Sequence, residues 1–219
     1  GQGDTMYNTA LIILSFVEKI DVSHLNAISS ISDYIICADG GVDIAKTYGI
    51  MPDCVIGDFD STINSNRLDC LYITLPSEKD FTDTEAAINH AIELGIRDIT
   101  VYGGIGGRLD HTFGNVGLLE KYLGKLDHLE FMDEKNSMQL LDGESCSTTI
   151  LTPISNYRFF SLVSLDSAAD GISITGAKYN LDNASISRAS TLCISNEIIL
   201  NQAHISVHNG KVLLIRSAD

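Results

Sequence analysis

The order of apolar segments predicts two domains: an α/β domain with a mainly parallel sheet flanked by helices, and after it an all-β antiparallel domain. Three observations carry this. Apolar runs of a few residues alternate with stretches of helical spacing as far as residue 132. From residue 137 onward the chain becomes rich in Ser, Thr, Ile and Val, in short alternating runs broken by turn residues. The polar stretches of the first part fall just after its apolar runs. Strand, helix, strand at that cadence means crossover units, and crossovers join parallel strands.

Residues 10–14 and 34–38 are short apolar runs with β-branched residues, and read as the first two strands. Between them, Leu25, Ile28 and Ile31 sit at helical spacing within 22–31. The second run ends in Asp39-Gly40-Gly41, and helical spacing returns over 42–48 before stopping at Gly49. Residues 54–56, 71–75, 99–102 and 129–132 read as strands three to six. Thr82-Asp83-Thr84-Glu85 has the form of a capping box, opening an Ala/Ile-rich helix that runs to Leu94 and closes at Gly95. The glycine run 103–107 leads through Arg108-Leu109-Asp110-His111 into a further helix ending near Leu123.

The change of character sets domains of 1–135 and 136–219. In the second, 139–141, 159–165, 172–175 and 191–194 read as strands. Residues 204–207 and 211–215 flank His208-Asn209-Gly210, and Asn-Gly is a strong hairpin signal, so these two are expected to pair.

With 14 Lys and Arg against 29 Asp and Glu, the formal net charge of −15 argues against a nucleic-acid or anionic-membrane surface. A phosphorylated substrate would need metal ions or a few well-placed cations. The five cysteines are scattered and form no C-x-x-C pair, which favours a reduced, intracellular protein over a zinc site. No apolar run approaches the ~20 residues of a spanning helix, and the first residues lack the basic flank and cleavage site of a signal peptide. A cytoplasmic address is the expectation.

Chemistry collects at Val55-Ile56-Gly57-Asp58-Phe59-Asp60-Ser61. If the chain stays extended beyond the third strand, Asp58 and Asp60 face one side and Phe59 turns back toward the core. Two such carboxylates about 6 Å apart repel by roughly 3 kcal/mol at an effective dielectric near 20. Mg²⁺, commonly held by one or two carboxylates plus substrate phosphates, relieves that repulsion; a solvated acidic turn is the plainer alternative. Ligands of open parallel sheets bind beyond the carboxyl ends of the strands. Asp39-Gly40-Gly41, the 79–83 loop and the glycine run all fall at that edge. Asp83 has a capping alternative, because a carboxylate in a first helical turn is favoured by the helix dipole. The glycine run matches neither phosphate-loop pattern, yet it leads backbone amides into a helix start, where phosphate is stabilised. Arg108 is suited to bidentate phosphate contact or to a local pair with Asp110. His111 reads as an ordinary hydrogen-bonded helix residue.

Cys37-Ala38-Asp39-Gly40-Gly41, Gly57-Asp58-Phe59-Asp60-Ser61, Lys79-Asp80-Phe81-Thr82-Asp83-Thr84-Glu85 and the stretch 103–115 occur in the order and spacing of thiamine pyrophosphokinases. Thr175-Gly176-Ala177-Lys178-Tyr179 and Ser195-Asn196-Glu197 resemble that family's C-terminal signatures. The resemblance implies an α/β catalytic domain, a β-sandwich for thiamine binding and dimerisation, and a homodimer with active sites between subunits. It implies transfer of the pyrophosphoryl group of ATP to the thiamine hydroxyl, with release of AMP. Asp58, Asp60 and Asp83 would hold Mg²⁺, and Asp83 or Asp80 would accept the hydroxyl proton. Asp39, Gly40, Gly41, Lys79, Thr82, Gly104 and Arg108 would meet ATP; Asp110, with Ser195 and Asn196 of the second copy, would meet thiamine. The chain departs from the family pattern after its first strand, where Ser15-Phe16 replaces an Asn-Gly pair, and over 181–191, where a glycine-bearing segment is absent. Two other readings compete. Asp58-Phe59-Asp60-Ser61-Thr62 also fits the D-x-D-x-T of haloacid-dehalogenase-like phosphatases, although there the motif follows the first strand. A non-catalytic module binding thiamine or nucleotide is the other.

Overall fold

Six short strands form the sheet of the first part of the molecule: β1 (Thr9–Ile13), β2 (Tyr34–Ala38), β3 (Cys54–Gly57), β4 (Leu71–Thr74), β5 (Asp98–Tyr102) and β6 (His128–Met132). They lie in the order β4-β3-β2-β1-β5-β6, and every pairing is parallel. The structure is a computed structural model that describes residues 6–17, 19–59, 67–145 and 148–219. It divides into two units, Gly1–Asp133 and Glu134–Asp219.

The central strands are buried from end to end: Leu11, Ile12, Ile13, Ile36 and Cys37 expose nothing to solvent. A parallel strand covered on both faces needs such an unbroken apolar run. β4, at the edge, is correspondingly open. The helices are α1 (Val22–Ile31), α2 (Val42–Thr47), α3 (Asp83–Glu93) and α4 (Leu109–Lys121). Asp21 caps α1, its side chain accepting from His24 N. Thr82 caps α3 in the same way, with Oγ1 3.2 Å from Glu85 N. The expected capping box is only half made, because the Glu85 carboxylate pairs with Lys121 of α4 instead of turning back. The chain steps outward from β1 to β2, β3 and β4, then returns through α3 to β5 on the other side of β1. The winding therefore reverses between β1 and β5, which opens a crevice at their carboxyl ends.

The second unit is an antiparallel sandwich. One layer runs β7-β13-β9, from β7 (Asn136–Asp142), β9 (Phe159–Ser164) and β13 (Lys211–Ser217). The other runs β11-β10-β12-β8, from β8 (Thr148–Leu151), β10 (Ala168–Thr175), β11 (Leu181–Ser187) and β12 (Ala203–Ser206). Phe160, Leu162, Val212 and Leu214 of the first layer pack with Ile172, Ile174, Ala203 and Ile205 of the second in one buried cluster. That interleaving of two inner faces is what defines a sandwich core.

The expected terminal hairpin does not form. β12 pairs with β10 and β8, while β13 pairs with β7 and β9, so Asn209-Gly210 carries the chain from one layer to the other. The turn's carbonyls serve neighbours in place of a hairpin partner: Asp170 N donates to Asn209 O and Gly143 N to Gly210 O, each across 2.9 Å. Inward alternation is the same whether two strands pair or face each other across a core, so the pattern alone could not separate the two. Residues 191–194 are not a strand either. Leu192 and Ile194 point to solvent around a buried Cys193, and Ile194 N closes a turn on Thr191 O. β8 and β11 were not anticipated; β11 is a polar edge strand whose sequence carries little apolar signal.

Candidate active site

Four loops at the carboxyl edge of the parallel sheet, those after β2, β3, β4 and β5, carry the polar residues singled out in the first domain. Asp39 follows β2 and Asp58 follows β3. Lys79, Asp80, Thr82 and Asp83 lie between β4 and α3, and the glycine run joins β5 to α4. A cleft of about 640 Å³ brings together Asp39, Asp58, Lys79, Asp80, Thr82, Asp83 and Asp110. Gly104 and Arg108 line a second cavity of about 530 Å³, which shares Asp39, Thr84, His111 and Asn115 with the first. Gly40 and Gly41 line neither. Gly41 serves the backbone: a Cβ there would lie 1.9 Å from the Ile13 carbonyl oxygen, so only glycine lets the turn after β2 pass β1. Asp60 lies outside the described residues. Among those described, no group of three His, Cys, Asp or Glu gathers to hold a cation. Phe59 does turn inward, packing edge-on against Tyr72 with ring centroids 5.3 Å apart.

Asp83 opens α3, where its charge meets the positive end of the helix. Its Oδ1 lies 2.9 Å from Lys79 Nζ, and both side chains are largely withdrawn from solvent. The ammonium is close enough for an ion pair but off-line for a directed hydrogen bond, so that buried oxygen keeps an acceptor direction unfilled. Lys79 donates to the Pro76 carbonyl as well, which holds it over the cleft. Asp39 adopts a left-handed backbone (φ 50°), uncommon for a residue other than glycine. Partial burial, then the nearby Asp83 and Asp58 carboxylates, push its carboxyl above the ordinary value, against the pull of His111 and Lys79. Among the described residues the cleft thus concentrates negative charge around one close ammonium, an arrangement suited to a cation-bound polyphosphate.

Arg108 and Asp110 form a bidentate pair, Nε to Oδ1 at 3.2 Å and Nη2 to Oδ2 at 2.6 Å, open to solvent. That pairing raises the guanidinium and lowers the carboxyl relative to their ordinary values. Phe16, Thr84, His111 and Asn115 also line these cavities, although none was assigned a role from the sequence. Only their position beside the glycine run and the acidic loop could have suggested them.

In the second unit, Ser195 is exposed and left-handed (φ 62°), its amide donating to Ser161 Oγ. Asn196 is 3% exposed, and its side chain holds the preceding turn. Nδ2 donates to Tyr179 O at 2.8 Å, while Oδ1 accepts from Tyr179 N and Glu197 N. Asn196 also lines a cavity of about 410 Å³ with Lys178, Tyr179, Leu192 and Cys193.

Two family models match the chain in succession: the thiamin pyrophosphokinase catalytic domain over residues 25–130, and the thiamin pyrophosphokinase vitamin B1 binding domain over 147–212. The chain is also 32% identical over 187 residues to the thiamine pyrophosphokinase of Bacillus subtilis, covering 83% of this chain and 86% of that one. The chain belongs to the thiamine pyrophosphokinase family. Solved structures agree. That of thiamine pyrophosphokinase from Bacillus subtilis superposes with a TM-score of 0.84 at 30% identity, covering 97% of this chain and all of the other (100%). That of thiamin pyrophosphokinase from Geobacillus thermodenitrificans gives 0.82 at 31%, covering 96% and 98%. The catalytic-domain match spans the acidic cleft and the glycine run, and the B1-binding match spans Ser195 and Asn196. Neither the phosphatase reading nor the non-catalytic one is favoured by these matches.

Proposed function

We infer that this chain is a thiamine pyrophosphokinase, transferring the pyrophosphoryl group of ATP to the hydroxyl of thiamine to give thiamine diphosphate and AMP. The observation that carries the reading is the pair of family matches, in order, over an acidic cleft at the carboxyl edge of the sheet. In the reaction the thiamine hydroxyl oxygen bonds to the β-phosphorus, the bond from that phosphorus to the α–β bridging oxygen breaks, and AMP departs. Such transfer depends on positioning and charge stabilisation more than on covalent help from the protein.

The residues fit a divalent cation. Asp58 and Asp83 face one cleft, and Asp83 Oδ1 is a buried acceptor with no directed donor among the described residues. In our proposal these two, with Asp60, hold Mg²⁺, which when bound neutralises phosphate oxygens as a Lewis acid. Lys79 sets the Asp83 carboxylate and meets phosphate charge. Thr82 fixes the start of α3 and with it the position of Asp83. Asp80, at the open rim, or Asp83 accepts the hydroxyl proton. Arg108 and the amides near Gly104 receive the nucleotide, and Asp110 holds the guanidinium in place or turns to thiamine. In the second unit, Asn196 shapes the Tyr179 turn while Ser195 offers its hydroxyl to thiamine. A homodimer that presents Ser195 and Asn196 to a partner's cleft belongs to the same proposal; exposed Leu192, Ile199 and Leu200 support such an assembly.

The test is direct. Incubation with thiamine, ATP and Mg²⁺ yields AMP and thiamine diphosphate in equal amounts. Hydrolysis of a generic phosphomonoester without thiamine, or thiamine binding with no AMP formed, would instead restore one of the competing readings.

A further inference from the structure

We propose that Phe16 is the stacking platform for the purine of ATP, seated in the crevice between β1 and β5. This rests on the kinase reading and assigns a residue that departs from the family pattern. β1 and β5 are the neighbours between which the winding reverses, and such a crevice is the default ligand site of an open parallel sheet. The loop after β1 forms one wall of the 530 Å³ cavity, through Ser15 and Phe16, and the loop after β5 forms the other. That volume falls within the roughly 300–1,000 Å³ of small-ligand sites.

The placement of the ring points to a planar ligand. A Cβ built on Gly107 would lie 2.4, 2.6 and 2.9 Å from Cζ, Cε2 and Cε1 of Phe16. Near-equal distances to Cζ and both its neighbours put Gly107 over the ring's face; an approach along the edge would leave the two Cε atoms much farther off. Only a residue without a side chain allows that contact. With Gly107 against one face, Phe16 is still 41% exposed and lines the cavity. The main chain is held as well, since Gly104 N donates to Phe16 O at 3.2 Å. An exposed aromatic ring, backed by a glycine and lining a cavity, matches how proteins hold nucleobases, by stacking on their π-faces.

The neighbours support the assignment. Asp39 and His111 line both cavities, so a ligand with its base on Phe16 has a continuous path for its phosphates toward Lys79 and Asp83. One amide hydrogen of Asn115 is committed to the Gly104 carbonyl and the Arg108 guanidinium is shared with Asp110, so the aromatic surface of Phe16 outweighs the side-chain donors left for the edges of a ring. The site should favour purines over pyrimidines while separating adenine from guanine only weakly.

The experiment titrates the intact chain with AMP by calorimetry and compares Phe16→Leu, which keeps apolar bulk without a flat face, with Phe16→Tyr, which keeps the face. We expect Phe16→Leu to weaken AMP binding roughly 10-fold, and CMP binding by less, with Phe16→Tyr within about twofold of the parent. In turnover, Phe16→Leu raises the KM for ATP and leaves that for thiamine unchanged. Unaltered AMP affinity in Phe16→Leu, or a loss confined to thiamine, would overturn the assignment. If AMP binding depends on Phe16 while the parent forms no thiamine diphosphate, the platform stands and the kinase reading falls.

Discussion

The side-chain amide of Asn115, midway along α4, donates to the carbonyl of Gly104 across 2.9 Å, and both residues are buried. This bond ties the helix to the glycine turn that feeds it. Replacing Asn115 with Leu strands the Gly104 carbonyl in an apolar setting, which costs on the order of 1–3 kcal/mol. We expect a lower melting temperature and a raised KM for ATP, with Asn115→Gln recovering part of neither if the longer side chain cannot reach the carbonyl. A full-strength melt for Asn115→Leu would show the bond to be dispensable.

Asp83→Asn keeps the volume and the helix start but removes the charge facing Lys79. Turnover should fall on the order of 100-fold, the scale of losing one group that stabilises transition-state charge. Far-UV circular dichroism should be unchanged. Asp58→Asn is expected to behave alike, and near-normal rates for both at saturating Mg²⁺ would discard the metal assignment.

Thr82→Ala removes the Oγ1 acceptor for Glu85 N and should cost about 1 kcal/mol. Thr82→Ser should restore stability, because it keeps the oxygen. Chemical denaturation of the three proteins separates this capping effect from any change in turnover.

His128 and Glu130, two apart on β6 and so on one face, lie 3.1 Å apart (Nε2 to Oε2). The hydrogen bond to Glu130 is the main cause that raises the His128 pKa above its ordinary value. A raised folded-state pKa stabilises the fold fully below the unfolded value, near 6.5. That contribution fades as pH rises through the folded-state pKa. Relative to His128→Gln, the parent should therefore be more stable at pH 5.5, by no more than about 1 kcal/mol for a partly exposed pair, and the advantage should shrink as pH rises above the ordinary histidine value. An advantage that grew with pH would contradict the sign.

Asn196→Asp retains both acceptor bonds through Oδ1 and loses the donor to Tyr179 O. A buried carbonyl facing a carboxylate should cost at least about 1–3 kcal/mol. Thiamine affinity should fall through the displaced turn, whereas AMP affinity should not change. Equal losses for both ligands would mean that the effect is global.

How much of this was legible from the chain differs between the two units. Each strand and helix of the first shows in the order of its apolar runs, because a strand buried on both faces must be apolar throughout, as Leu11 to Ile13 are. The acidic loops could be found from the same reasoning, since the edge on which ligands bind follows from parallel pairing. In the second unit the alternation at 204–207 and 211–215 was read correctly as strand but wrongly as a hairpin. Phe16 showed in the sequence only as a departure from the family pattern, because a single aromatic after a strand has no local signature; its meaning depends on Gly107, 91 positions along.

Periodicity, turn residues and motif spacing, all local properties, were enough to give the class of each unit, the family, and the loops that line the acidic cleft. They report which way a side chain points from its own strand. Which strand lies opposite, which glycine meets which ring, and which carboxylate keeps an unfilled acceptor direction were decided by packing between distant segments. Those contacts arise only when the chain closes on itself, and no pattern within a short window encodes them.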